Sequence, residues 1–237
     1  MKIKQLLASL FLLLCYCSAQ GQVVFGVFGG GGLPIYNKSS KDPGDPKTGS
    51  VDVTPLYGGS IMVYAGYSIG LGASVHTQNY SFTMHNGQSN SLGYSGTDLV
   101  HNSNYVFLAP TLSFILDTRD VLQINLSPAI GLNTSGKEYV KSYAIATNGA
   151  TISADSTNTT ENIQQLVFGA TAQFQQNIIL STNFRLCFIE SYNYMVTNLT
   201  QTNEVGRNIN PGYASVMAAF TYRIHKRNVR YEEPRFR

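Results

Sequence analysis

Residues Val121 to Asn133 read VLQINLSPAIGLN and alternate strictly. Leu122, Ile124, Leu126, Pro128, Ile130 and Leu132 form one apolar face, and Gln123, Asn125, Ser127, Ala129, Gly131 and Asn133 form a second face of polar or small residues. A period of two predicts a β-strand, because successive side chains point to opposite sides. The length constrains the chain further. Roughly ten residues carry a tilted strand across a bilayer, whereas strands of soluble domains run nearer five or six. The apolar face suits lipid and the uncharged face suits a closed lumen.

The beginning of the chain predicts the compartment. Lys2 and Lys4 form a basic segment, Leu6 to Leu14 an apolar one, and Cys17-Ser18-Ala19 or Ala19-Gln20-Gly21 a small-residue cleavage site. This pattern is a secretory signal peptide over residues 1–21, cleaved after Ala19 or Gly21, and it is too short for a membrane anchor. Lipidation at Cys15 or Cys17 is disfavoured, since Leu14 and Tyr16 are bulkier than a lipoprotein signal takes before its cysteine. Beyond the signal only Cys187 remains, so no intramolecular disulfide forms and the fold must rest on its strand ladder.

Seven further segments continue the pattern. Candidate strands run Val23–Tyr36, Leu56–Gly66, Ile69–Thr83, Asn104–Leu116, Val121–Asn133, Asn162–Gln175, Ile178–Tyr194 and Gly212–Ile224. The connections alternate in length. Gly66–Ser68, Asp117–Asp120 and Gln176–Asn177 predict tight turns, while Asn37–Pro55, Met84–Ser103, Thr134–Glu161 and Met195–Pro211 predict long loops rich in Asn, Ser, Thr and Gly. Short turns at one rim and long loops at the other are the habit of an up-and-down outer-membrane barrel, with the short turns periplasmic. Only 12% of residues are charged, low against the usual quarter, yet no apolar run after the signal is long enough for a spanning helix. The expected fold is therefore all-β, an eight-stranded antiparallel up-and-down transmembrane β-barrel over residues 22–224.

Each strand assigns its faces. Ile61, Val63, Ala65, Ile69, Leu71, Ala73 and Val75 are expected toward lipid, and Ser60, Tyr64, Ser74, His76 and Gln78 toward the lumen. Leu166, Phe168, Ala170, Ala172 and Phe174 alternate with lumenal Gln165, Gly169, Thr171, Gln173 and Gln175. Leu180, Phe184, Leu186 and Phe188 alternate with Ser181, Asn183, Arg185 and Cys187, and Val216, Ala218, Phe220 and Tyr222 with Ser215, Thr221 and Arg223. Tyr57, Tyr67, Tyr192, Tyr194 and Tyr222 fall near strand ends, as an interfacial aromatic girdle requires.

With the glycine-rich first strand Phe25-Gly26-Val27-Phe28-Gly29-Gly30-Gly31-Gly32 and the last strand Ala219-Phe220-Thr221-Tyr222, the chain resembles the small eight-stranded outer-membrane barrels of the OmpX kind, and more closely the PorT-like barrels of Bacteroidota. The resemblance implies an integral outer-membrane location and a role in the envelope or a secretion apparatus. The chain departs from the family by running on past Ile224 into HKRNVRYEEPRFR, a basic tail (residues 225–237) expected in the periplasm and suited to anionic headgroups or an acidic partner.

Chemistry-bearing patterns are sparse. Gly131 to Lys137 matches much of the phosphate-binding loop G-x-x-x-x-G-K, but Glu138 follows where that motif needs a hydroxyl. His101-Asn102-Ser103 is similar to the His-x-Ser pair of small barrel lipid A deacylases, but no Asp or Glu follows in its strand before Asp117, at the opposite rim. His76, His85 and His101 lack the local spacing of a metal site. Asp155-Ser156-Thr157 resembles an O-glycosylation tripeptide of Bacteroidota secreted proteins. Arg185 and Arg223 point inward from adjacent strands, Glu190 has the wrong parity to meet them, and Gln173, Gln175, Asn183 and Asn125 are the expected acceptors of a structural lumen cluster.

These features predict a non-enzymatic, monomeric barrel without cofactor or metal, serving surface interaction, envelope integrity or a secretion apparatus. Its partners would be outer-membrane lipid and an envelope or secretion-complex protein, and the compartment excludes nucleic acid. Alternative readings are a barrel-embedded lipid-modifying hydrolase using His101, and a soluble secreted β-sandwich adhesin.

Overall fold

The computed structural model describes residues 22–36, 47–65, 68–90, 93–117, 119–146, 149, 151–199 and 211–224, with backbone alone at 36, 47–51, 65, 85–90 and 151–153. The signal peptide expected over 1–21 and the basic tail over 225–237 lie outside these residues. Ten strands follow in order: β1 (Gln22–Tyr36), β2 (Lys47–Val51), β3 (Thr54–Ala65), β4 (Ile69–Asn90), β5 (Gly93–Ile115), β6 (Leu122–Ala146), β7 (Thr151–Asn158), β8 (Leu166–Ile179), β9 (Phe184–Met195) and β10 (Pro211–Ile224). A 3-10 turn, Thr160–Asn162, lies between β7 and β8.

Eight of these strands close a barrel. The antiparallel ladder runs β4-β3-β1-β10-β9-β8-β6-β5 and returns through β5 to β4. Closure leaves no free ladder edge in the bilayer, where every backbone polar group must be paired within the protein. The outer surface is apolar, with Phe25, Val27, Ile61, Leu71, Val75, Leu108, Leu126, Ile130, Phe168, Phe188 and Phe220 all exposed. Tyr57, Tyr192 and Tyr194 lie outward at the external end, and Tyr222 lies outward at the periplasmic end with Phe184 at 4.9 Å between ring centres. A closed barrel with such a belt is an integral outer-membrane protein.

The lumenal parity holds with three exceptions among the described residues. Ser74, His76 and Gln78 face inward opposite exposed Leu71 and Val75, and Arg185 and Cys187 face inward beside exposed Phe184 and Phe188. Val63, expected toward lipid, is buried, and Gln165 and Ser181, expected in the lumen, are exposed, one just before β8 begins and the other in the turn after it.

Two of the four expected loops are mostly strand, while most of Asn37–Pro55 and of Met195–Pro211 lies outside the described residues. Met84–Ser103 continues β4 and β5 as one hairpin, paired from Asn79↔Asn104 up to Asn90↔Gly93, and Thr134–Glu161 continues β6 and folds back as β7. β2 adds to β4 at Phe82–His85. The result is a five-stranded wall, β2-β4-β5-β6-β7, standing on one side of the external rim. No lipid-facing alternation marks these segments because neither face meets lipid, and Thr and Tyr favour strands without apolar periodicity. The tight turn expected at Gln176–Asn177 is also displaced. Both residues remain in β8, and the chain reverses at Leu180–Asn183, where the amides of Leu180 and Ser181 donate to the Phe184 carbonyl. Asn177 is held in the strand by its own side chain, which donates to the Asp120 carbonyl at 3.0 Å.

The lumen is filled. Tyr80, Tyr105, Phe107 and Tyr213 are fully buried across it, with Tyr80 edge-on to Tyr105 at 5.9 Å and to Tyr213 at 5.6 Å. Gly131 makes room for one of these rings, since a Cβ there would lie 2.5 Å from Phe107. Eight strands enclose a space just wide enough for such packing.

Candidate functional sites in the lumen

Among the described residues, two of the buried polar clusters in the lumen join acidic to basic side chains, one at each end. At the periplasmic end the β5–β6 turn folds Asp120 inward, with a left-handed φ of 56°. One carboxylate oxygen of Asp120 accepts from both Arg185 on β9 and Arg223 on β10. Arg185 also donates to the Asp120 carbonyl at 3.0 Å. This corrects the expected acceptors. Asn125 instead donates to Gln173 at 3.4 Å and Gln175 at 3.3 Å, and Asn183 donates to the Arg223 carbonyl at 2.7 Å. A carboxylate aimed into the lumen outcompetes neutral amides for two buried guanidinium groups, because charge-assisted hydrogen bonds are roughly twice as strong. Glu190 faces outward, as its parity predicts. A cavity of about 50 Å³ remains above the latch, between Arg223, Gln123, Gln173 and Met217. It has room for a water or two.

The second cluster lies at the external end, where the barrel meets the wall. His101 on β5 and Glu138 on β6 are direct ladder partners. The His101 Nδ1 sits 2.7 Å from a Glu138 carboxylate oxygen, and its Nε2 sits 2.7 Å from the Ser103 Oγ. The other Glu138 oxygen accepts from the Thr159 hydroxyl at 3.0 Å. All three members are buried to 1% exposure or less, and the imidazole stacks on Phe82 at 4.8 Å. With Nδ1–H donated to the carboxylate, Nε2 is left as the acceptor for the serine hydroxyl.

A bulge creates this arrangement. Below it Tyr105 pairs with Asn133, and above it Asn104 pairs with Ser135, so Thr134 is the extra residue on β6. Counted straight back from the turn, His101 would face Lys137. The inserted residue moves the register by one and switches the inward face of β6 from odd to even positions. Ser127 and Ala129 are buried below the bulge; above it Glu138 is buried and Lys137 exposed. The carboxylate that the His-x-Ser pair lacks in its own strand thus arrives from the neighbouring one.

No protein-family model matches the chain, and no curated protein is similar to it. Among solved structures it is similar to Ail, the attachment invasion locus protein of Yersinia pestis, at 14% identity over 86% of this chain and 99% of that one, with a TM-score of 0.36. Neisserial surface protein A is 13% identical over 85% of this chain and 96% of its own, with a TM-score of 0.38. The outer membrane protein OprG from Pseudomonas aeruginosa is 12% identical over 87% and 97%, with a TM-score of 0.33. At these values no function passes from any of them to this chain.

The remaining sequence candidates separate. Gly131–Lys137 lies within β6, so it forms no phosphate-cradling loop. His76 stacks on Phe107 at 5.4 Å within the lumen, while His101 belongs to the wall; the His85 side chain lies outside the described residues. Among the described residues no group of His, Cys, Asp and Glu is arranged to hold a metal. Cys187 is buried with its sulfur 3.7 Å from the Thr221 hydroxyl. Asp155 is exposed on β7, where its carboxylate accepts from the Ser156 amide at 2.7 Å.

Proposed function

We propose that this chain is a sealed outer-membrane barrel whose work is contact at the cell surface, carried by the wall that stands above the membrane. The observation behind this reading is the disparity in strand length. β4, β5 and β6 run 22, 23 and 25 residues, against 12 for β3 and β9. A crossing needs only roughly ten residues, so more than half of each long strand serves something other than the bilayer. The aromatic layers and the Asp120 latch argue against a diffusive pore.

The partners that fit are outer-membrane lipid around the belt and an envelope or secretion-complex protein against the wall, with the barrel itself monomeric. The resemblance of the first and last strands to PorT-like barrels favours a partner within an envelope assembly.

The deciding experiment shortens the wall. A variant in which β4 is rejoined to β5 just above Gln78 and Tyr105, with β6 cut back to Asn133, should still insert and show heat-modifiable migration. Cells carrying it should lose the adhesion or envelope-integrity phenotype as fully as a deletion strain does. A shortened protein that inserts and restores wild-type behaviour would overturn the reading.

A further inference from the structure

The external cluster holds more chemistry than a surface wall requires. A buried serine, histidine and glutamate need only be hydrogen-bonded to be stable. Here they are ordered carboxylate to Nδ1, then Nε2 to Oγ, with each contact at 2.7 Å. That sequence of contacts makes a serine nucleophilic: the carboxylate fixes the tautomer and the imidazole stands ready to take the hydroxyl proton. Thr159 fixes the far oxygen of Glu138, and stacking on Phe82 fixes the ring plane. The bulge at Thr134 is what brings Glu138 inward, and bulges that re-aim a side chain gather at barrel rims and beside active sites.

A specific element covers the site. Between β7 and β8, Thr159 to Gln164 lies against β6, tied by the Thr159 amide to the Glu138 carbonyl at 2.9 Å, by the Tyr105 hydroxyl to the Gln164 carbonyl at 2.9 Å and by the Gln164 amide to the Leu199 carbonyl at 2.8 Å. Ser103 is paired with Gly136, and the Ile163 Cδ1 lies 2.7 Å from where a Cβ on Gly136 would sit. An aliphatic side chain thus occupies the space beside the serine that the missing Gly136 side chain leaves.

We propose that Ser103, His101 and Glu138 form an acyl-transfer site for carboxylic esters, reached from outside the cell when the Thr159–Gln164 segment withdraws Ile163. The Ser103 Oγ attacks the ester carbonyl carbon while its proton passes to the His101 Nε2. The C–O bond to the alcohol breaks, and the leaving oxygen takes that proton. Water then gives a proton to the same nitrogen and its oxygen to the acyl carbon, and Ser103 departs reprotonated. The Nδ1 proton stays on the bond to Glu138 throughout. This activity goes beyond the surface role and is independent of it.

The test is covalent labelling of the intact, folded barrel in lipid vesicles with a fluorophosphonate, which reacts with activated serines. The expected result is a single adduct on the peptide containing Ser103, absent from boiled protein and from Ser103→Ala. Glu138→Gln should label at least about a hundredfold more slowly with heat-modifiability unchanged, as loss of the orienting carboxylate predicts. Ile163→Ala should label several-fold faster. Hydrolysis of p-nitrophenyl butyrate without turnover of vesicle phospholipid would identify soluble esters as the substrate; turnover of both would identify membrane lipid as well. A folded wild-type barrel that stays unlabelled, and an Ile163→Ala variant that stays unlabelled too, would overturn the proposal and leave a purely structural network.

Discussion

His101 and Glu138 face each other across the β5–β6 ladder only because Thr134 is inserted below them. Deleting Thr134 should return β6 to its lower register, turning Glu138 outward and Lys137 inward. Single cysteines report this directly. In the parent sequence Glu138→Cys should resist a membrane-impermeant maleimide and Lys137→Cys should react. In the deletion background the two reactivities should exchange; unchanged reactivity would mean that the wall does not follow the barrel's register.

Asp120 is the shared partner of Arg185 and Arg223. Asp120→Ala should destabilise the barrel by about 3–5 kcal/mol, because it strands two buried guanidinium groups. Adding Arg185→Leu and Arg223→Met should recover much of that loss, since replacing a buried ionic cluster by apolar side chains is often neutral. Urea unfolding in lipid vesicles measures both. A single substitution without effect would show that lumenal water, rather than Asp120, satisfies the arginines.

The lipid face can be probed at Leu126, which is 45% exposed and lies mid-way between the β6 turn and the bulge. Leu126→Arg should cost about 2–4 kcal/mol in a bilayer. Ser142→Arg, exposed on the wall, should stay within about 0.5 kcal/mol of the parent. Equal losses in refolding titrations would place the two positions in the same environment and contradict the belt.

Asp117 has its carboxyl held below the usual aspartate range, chiefly by the backbone amide of Leu122 and then by those of Val121 and Arg119. The charged form is therefore the one the folded turn favours. Its contribution is present at neutral pH, begins to fall near the unfolded aspartate value of about 4, and is gone once the pH has dropped through the lower folded value. Unfolding midpoints for the parent and Asp117→Asn should differ at pH 6 and converge toward pH 3. A constant difference would assign the effect to shape rather than charge.

Lys137 and Lys141 sit in paired strand, with Lys137 opposite Asn102 and Lys141 between Asp98 and Ser156. Trypsin added to intact cells should leave both bonds uncut over times that degrade an unfolded control. Rapid cleavage there would mean that the wall opens locally.

The barrel was legible wherever one face of a strand meets lipid, as in Leu122 to Leu132, because the bilayer imposes a two-residue period on the sequence. It ceased to be legible above the rim, where Tyr94, Ser95, Thr97 and Asp98 meet water on a ladder that needs no alternation. The β8–β9 turn was misplaced because Gln176 and Asn177 look like turn residues, whereas Asn177 is a lumenal strand residue serving Asp120 and Gln123. The inward arginines followed from parity alone, but their partner did not, since Asp120 reaches them from a turn. The same limit hid Glu138. Its role depends on a one-residue bulge, and the visible signal was only the otherwise idle pair His101 and Ser103 two positions apart on a strand.

The ladder that seals itself inside the membrane comes open again above it. Among the described residues β7 pairs only with β6, and β2 only with β4, so each flanking strand carries a row of backbone amides and carbonyls on the side away from that partner. Such rows can take up a strand from another chain without regard to its side chains. At 5 and 8 residues the two flanking strands are short enough to keep that adhesion brief. Neighbouring copies crowded in one outer membrane would therefore touch edge to edge above the lipid and part again, rather than zip into a sheet.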